Sequence, residues 1–330
     1  MSVPLLSVNG LSVVFQTPAG PVHAVNEVSF DVGPGEVLGL VGESGSGKSV
    51  TLRAIGRLLA GRAEVTGTVA WKGENLLAAP PGRLRAIRGA GIGIVFQEPM
   101  AALNPVLSIG LQIEESLAAH TPLGRAERRA RAVELLRLVG IPSPAQRLGQ
   151  FTHEFSGGMR QRAMIAIALA AAPALLLADE PTTALDVTIQ DQVLKLLLRL
   201  VDELGMALVL VTHDLGVVAE TCDRMAVMYA GRICEIGPTS AVFSQPRHAY
   251  TDALLRAMPG EAPARGMLLS IPGLPPRLDQ PAIGCAFAPR CGHAEPRCTQ
   301  ATPALTLQPE GQCAACFADA RLPARATQTA

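Results

Sequence analysis

Gly42, Glu43, Ser44, Gly45, Ser46, Gly47, Lys48 and Ser49 fit the spacing G-x-x-x-x-G-K-[ST], and each residue type has a task in holding a triphosphate. Gly42, Gly45 and Gly47 let the backbone turn tightly, so that its N–H groups point at an anion. Lys48 brings a mobile positive charge to the β- and γ-phosphates, and the Ser49 hydroxyl suits Mg²⁺. An apolar run over residues 36–41 precedes the loop and a helical pattern opens near Lys48, which adds the positive end of a helix. A second group is Asp179 and Glu180, two carboxylates at the end of the apolar stretch Leu175-Leu176-Leu177-Ala178. At the carboxyl edge of a sheet, Asp179 suits Mg²⁺, and Glu180 suits orienting or deprotonating an attacking water. A third is Phe155-Ser156-Gly157-Gly158-Met159, just ahead of a long helical pattern, where Ser156 and two glycine N–H groups make another anion-binding helix start.

The elements that must position these residues read as α/β. Strand-like alternation around residues 11–15 and 28–32, punctuated by Gly20-Pro21 and Gly33-Pro34-Gly35, predicts a β-rich start. A helix is expected over 51–59, then strands over 64–71 and 91–96. Between Gln97 and Gln161 the pattern is helical, over 109–119, 125–139 and from 158 to 172, which predicts an inserted helical subdomain. Short apolar strands return at 174–178 and 207–211, joined by a helix over 187–204, the alternation of a parallel sheet. From about residue 260 the chain turns rich in Pro, Gly and Ala, which predicts irregular structure or a linker.

With 48% hydrophobic residues the 330-residue chain can bury a large core, and one large domain with an appendage is expected. A formal net charge of zero with no block of like charge argues against a nucleic-acid partner. No basic start followed by a long apolar core opens the sequence, so a cytosolic chain is expected. The most apolar run, residues 163–178, is too short for a membrane span and is interrupted by Pro173. Seven cysteines occur and five fall between Cys285 and Cys316, a clustering that in the cytosol favours a metal site over disulfides.

These motifs, in this order, resemble the ATP-binding-cassette (ABC) family: the phosphate loop, Gln97 after the strand 93–96, the Ser156-Gly157-Gly158 signature, Asp179-Glu180, Asp186 in Ala184-Leu185-Asp186, and His213 after the strand 207–211. Phe155 and Met159 replace the commonest flanking Leu and Gln. The resemblance implies a P-loop NTPase fold of cassette type and ATP hydrolysis with Mg²⁺ held through Ser49, Gln97 and Asp179. Lys48, Glu180 and His213 would be catalytic, with His213 at the γ-phosphate, and Phe15 would stack on adenine, although an aromatic in a strand is also an ordinary core residue. It implies two cassettes packed head to tail, the signature of one closing on nucleotide held by the other, with Asp186 bridging the two sites.

The stretches 98–105, 181–190 and 248–255 narrow the likeness to ATP-binding subunits of bacterial dipeptide, oligopeptide and nickel importers, nearest the dipeptide type that pairs with a second, non-identical ATPase. Ala249 stands where a proline is usual, and Phe151-Thr152 where Tyr-Pro is. The implied partners are that ATPase, two transmembrane permease subunits and an extracytoplasmic solute-binding protein. The implied location is the cytoplasmic face of the inner membrane, and the division is a nucleotide-binding domain over 1–259, its helical subdomain at about 98–172, with an extension over 260–330. Cys285-x₅-Cys291-x₆-Cys298-x₁₇-Cys316 matches the C-terminal pattern of such subunits, some of which carry an iron–sulfur cluster. Four thiolates suit a [4Fe-4S] cluster or zinc, and no metal at all is the third reading. Cys313 and His293 are further candidate ligands, while Cys222 and Cys234 read as buried small apolar residues. A soluble ABC ATPase of translation or repair is the rival from another class. It is disfavoured by the single phosphate loop and by the short interval between Gln97 and Ser156.

Overall fold

The computed structural model describes residues 3–183, 186–258, 270–279 and 283–318. Strands β1 (Leu6–Thr17) and β2 (Gly20–Val32) form a long hairpin, and β3 (Val37–Val41) leads into the phosphate loop and helix α1 (Lys48–Ile55). Next come β4 (Ala63–Trp71), β5 (Glu74–Asn75), α2 (Pro81–Ala90) and β6 (Ile92–Val95). Five helices follow: α3 (Pro99–Ala102), α4 (Ile109–His120), α5 (Arg125–Leu138), α6 (Pro144–Arg147) and α7 (Gly157–Ala168). Then β7 (Leu175–Asp179), α8 (Val187–Leu204), β8 (Ala207–Val211) and α9 (Leu215–Thr221) alternate, before β9 (Arg224–Tyr229) and β10 (Arg232–Pro238) pair as a hairpin. Helices α10 (Thr239–Ser244), α11 (Ala249–Arg256) and α12 (Pro296–Gln300) and the short strands β11 (Thr306–Leu307) and β12 (Cys313–Ala314) complete the described chain.

Two sheets result. One is antiparallel in the order β2-β1-β4-β5, and the other runs β11-β12-β10-β9-β3-β8-β7-β6, its neighbours from β9 to β6 parallel. The parallel strands are apolar runs, with charge only at their ends (Asp179, Arg224), because both faces are covered. In β7, Leu176 and Ala178 join the core on the helical side, while Leu175 and Leu177 join the core shared with the antiparallel sheet. β8 divides likewise, with Leu208 and Leu210 on one side and Val209 and Val211 on the other. The period-two alternation thus glues helices to one face and the β-rich start to the other, and it brings the carboxyl ends of β3 and β7 to one edge.

The helices between β6 and β7 follow the same logic. Ile109, Ile113 and Leu117 line one face of α4 at helical spacing, against Ala132, Leu135 and Leu136 of α5. The Ser108 hydroxyl accepts the Leu111 N–H, and the Glu127 carboxylate accepts the Gly124 N–H, so both helix starts are capped. The expected helix over 51–59 stops at Ile55, because Gly56 closes it and Arg57 takes a positive φ of 50°. The helix expected over 158–172 likewise stops at Ala168.

The stretch after residue 260 is not merely irregular. β12 pairs with β10, placing Cys313 opposite Ile236 and Ala314 opposite Glu235, so this region extends the large sheet. The expected domain boundary at residue 259 lies outside the described residues. Where β10 meets α11, the buried Glu235 carboxylate accepts the N–H groups of Arg247 (2.7 Å) and His248 (2.9 Å). Burial pushes this carboxyl up to about 7 from an ordinary value of 4.5, against the opposing pull of its hydrogen bonds. A folded-state value above the unfolded one means that stability is fully present below about pH 4.5 and is lost as pH rises through about 7. Wild type should therefore lose stability relative to Glu235→Gln as the pH is raised across that window. Parallel melting-temperature curves for the two proteins would remove Glu235 as the cause.

Candidate nucleotide site

The phosphate loop spans the gap between β3 and α1. Gly42 takes φ +146°, and a Cβ there would sit 2.2 Å from the Met228 carbonyl oxygen, while a Cβ on Gly47 (φ +100°) would sit 2.5 Å from that of Ala24. Only glycine lets the loop lie so close to β9 and β2. Gly45 and Ser44 are exposed at its tip, and the Ser46 carbonyl accepts the Gly231 N–H at 3.0 Å. The Lys48 ammonium is 4% exposed and donates to the carbonyls of Gly42 (2.7 Å) and Glu43 (2.9 Å) and to the Ser46 hydroxyl (3.4 Å), folded across the cradle. Burial lowers its pKa, opposed by the charges of Glu180, Asp179 and Glu43.

Asp179 ends β7 with its side chain beside the start of α1. The Ser49 hydroxyl donates to its Oδ1 at 2.6 Å, and Arg53 stands 3.8 Å from Oδ2. Oδ2 is buried without a hydrogen-bond partner, and burial raises the carboxyl's pKa against the pull of Ser49 and Arg53. An orphaned carboxylate oxygen beside a hydroxyl, facing an anion cradle, is a donor set that fits Mg²⁺. Ser49 and Asp179 would hold the ion, which when bound supplies positive charge to the phosphate oxygens.

Glu180 follows in the left-handed region at φ +44°, an unusual conformation for a non-glycine residue. Its N–H donates to the Val211 carbonyl at 3.0 Å, which ties the turn to β8. Its Oε2 accepts from Gln97 Nε2 (3.0 Å) and the Thr183 hydroxyl (2.7 Å), with Nδ1 of the exposed His213 at 3.6 Å. Residues expected from three separate stretches, Gln97, Asp179-Glu180 and His213, therefore converge with Lys48 and Ser49 on one sheet edge. Such a cluster can bind a polyphosphate, orient a water and take its proton.

The remaining expected residues stand apart. Ser156 caps α7 by accepting the Met159 N–H at 3.4 Å, Ser156 and Gly157 are exposed, and a Cβ on Gly158 would meet Ile189 of α8 at 2.8 Å. Among the described residues no hydrogen bond joins this turn to the phosphate loop. Asp186 is exposed and caps α8 through the Ile189 N–H at 3.0 Å, while Ala184 and Leu185 lie outside the described residues. Phe15 is half-buried in β1 opposite Val22 and Ala63, packed on the core of the antiparallel sheet.

Cys285, Cys291, Cys298 and Cys316 line one small cavity with His293, and Cys313 is not among its lining residues. None of the seven described cysteines is in a disulfide, and Cys222 and Cys234 are buried. Among the described residues no three metal-ligating side chains form a group able to hold an ion, so the thiols share a cavity without forming a coordination shell. Sequence reasoning missed Arg53, Thr183, Tyr229, Tyr250 and Arg290 near the site. Of these Thr183 and Tyr250 lay within the stretches 181–190 and 248–255, where neither was given a role.

Residues 25–183 match the family described as ABC transporter, and residues 234–298 match the oligopeptide/dipeptide transporter C-terminal region. A Brucella abortus protein provisionally named a peptide import ATP-binding protein is 50% identical over 307 residues, covering 93% of this chain and 92% of its own. A Brucella melitensis protein of the same provisional description is 52% identical over 315 residues, covering 92% and 93%. The dimeric ATP-binding cassette MJ0796, solved in a post-hydrolysis state with ADP and Pi, superposes with a TM-score of 0.64 at 30% identity over 71% of this chain and 98% of that one. CbiO1 of Clostridium perfringens, part of the ABC transporter complex cbiONQ, gives 0.62 at 28% identity over 73% and 91%. No helix among the described residues is long and apolar enough to cross a membrane. With the nucleotide site assembled on a matching fold, this chain belongs to the ABC transporter family as an ATP-hydrolysing, ATP-binding subunit of the branch with the oligopeptide/dipeptide transporter C-terminal region.

Proposed function

We propose that this subunit energises the import of dipeptides and oligopeptides through separate membrane subunits. The observation that carries the reading is the union, in one chain, of the Lys48, Ser49, Gln97, Asp179, Glu180 and His213 cluster with the peptide-transporter-type region over 234–298. The names of the Brucella relatives support the cargo class.

In this reading the loop of Gly42, Glu43, Ser44, Gly45, Ser46 and Gly47 cradles the phosphates with its N–H groups, except that of Glu43, which the Tyr250 hydroxyl holds. Lys48 turns from the loop carbonyls to the β- and γ-phosphates, and Phe15 stacks on adenine. Ser49, Asp179 and Gln97 hold Mg²⁺. Glu180, oriented by Gln97 and Thr183, takes a proton from the attacking water while His213 contacts the γ-phosphate. The exposed turn Ser156-Gly157-Gly158-Met159 closes on nucleotide bound by a second, non-identical cassette, with Asp186 between the two sites. The dimeric state of MJ0796 supports a cassette pair. Closure moves the helical subdomain, at about 98–172 of a nucleotide-binding domain over 1–259, against two permease subunits at the cytoplasmic face of the membrane. An extracytoplasmic binding protein delivers the cargo. The extension over 260–330 carries Cys285, Cys291, Cys298 and Cys316, which we read as ligands of a [4Fe-4S] cluster or zinc, supported by their shared cavity.

The test is ATP turnover by the complete transporter in lipid with its binding protein, across dipeptides, longer peptides and nickel. Stimulation by peptides is expected. Stimulation by nickel alone would reassign the cargo, and none by any solute would end the peptide reading. Iron, sulfide and zinc assays on anaerobically purified protein should find one of the two metals, and finding none would remove the metal site.

A further inference from the structure

Arg290 lies in the C-terminal region, yet its side chain is only 5% exposed and is aimed at the phosphate loop. Its Nη1 and Nη2 donate to the two oxygens of Glu43 at 2.7 and 3.0 Å, a bidentate fork. Nη1 also donates to the Tyr229 hydroxyl (3.2 Å), Nη2 to the Ile271 carbonyl (3.2 Å) and Nε to the Pro272 carbonyl (2.8 Å). A guanidinium has five N–H donors, and these five acceptors account for all of them. The Glu43 N–H in turn donates to the hydroxyl of the fully buried Tyr250 at 2.8 Å, and the Glu43 carbonyl accepts from Lys48 at 2.9 Å. Backbone and side chain of this one loop residue are therefore both clamped from outside the loop.

The clamp answers an electrostatic problem. Glu43 carries a negative charge in a loop built to receive a polyphosphate, and a carboxylate free to rotate over the cradle would repel the ligand. Arg290 neutralises that charge and ties it to the Tyr229 hydroxyl at the end of β9 and to the 271–272 segment. We propose that Arg290 is a positioning residue for ATP binding, so that the C-terminal region sets the affinity of the phosphate loop through Glu43. The inference rests on the reading of the loop as the ATP site.

Equilibrium ATP binding by the purified full chain separates the two. If wild type binds ATP and Lys48→Ala does not, the site reading holds. Arg290→Ala is then expected to bind ATP about tenfold more weakly, and adding Glu43→Gln should bring affinity back to within about threefold of wild type, because the repelling charge is gone. A loss below fivefold in Arg290→Ala, or a double variant that binds no tighter than Arg290→Ala, would overturn the proposal, since a merely structural arginine is not rescued by neutralising its partner. Should Arg290→Ala fail to fold, Arg290→Lys replaces it, keeping the charge but losing the fork. A loss of threefold or more that Glu43→Gln restores supports the proposal, and a smaller or unrestored loss overturns it.

Discussion

Glu180→Gln should leave ATP binding within about twofold of wild type while slowing turnover by the assembled transporter about 10²–10³-fold, within the range of general-base catalysis. The expectation follows from what holds the side chain. Its Oε2 accepts from Gln97 and Thr183, so the carboxylate is fixed with His213 alongside and the Lys48 cradle adjacent. Glutamine preserves size but cannot take a proton from water. The left-handed backbone is unchanged by the substitution, so the fold should be unaffected. Single-turnover hydrolysis together with equilibrium ATP binding checks both halves. Turnover within threefold of wild type would remove Glu180 as the base.

Gly42→Ala is expected to be as damaging by a different route. Its Cβ would lie 2.2 Å from the Met228 carbonyl oxygen, and Met228 is held in β9 by pairing with Ile233 of β10, next to the last pair with β3, Val41–Val227. Neither backbone can retreat without breaking sheet pairing, so the cost is of order 3 kcal/mol or more, beyond ordinary left-handed strain. Melting temperature should fall by about 5 °C or more and ATP binding should be lost. Gly45→Ala supplies the comparison. Gly45 has φ +78° but nothing within 4 Å of its Cβ site, so only backbone strain of about 1 kcal/mol is at stake. Equal stability of the two variants would show that close approach to β9 is not what Gly42 is for.

The features legible in the sequence were those that repeat locally. The phosphate loop declares itself within eight residues, and β7 and β8 do so because a strand buried on both faces reads as an apolar run, which in β7 lasts until Asp179. Helix α8 was readable from Asp186 at its start to Gly205 after its end, both residues taking cap conformations. Residues distant in sequence left no such mark. Arg290 and Glu43 are 247 positions apart, and nothing in the pattern around an arginine among prolines and cysteines announces an ion pair with a phosphate loop. β12 was missed because two residues cannot display a period, and its place is fixed by pairing with β10.

That pairing has a consequence for how the chain is made. β10 is synthesised well before Cys313 and Ala314, so while the ribosome adds the intervening residues, one edge of the large sheet is uncovered along β10, including the Cys234 carbonyl that accepts the Ala315 N–H in the finished chain. A nascent or truncated chain lacking residues from Gln312 onward would carry this open edge, on which another extended segment could dock. Besides the contact of Arg290 with the phosphate loop, the C-terminal region thus supplies, through β12, the strand that covers this edge.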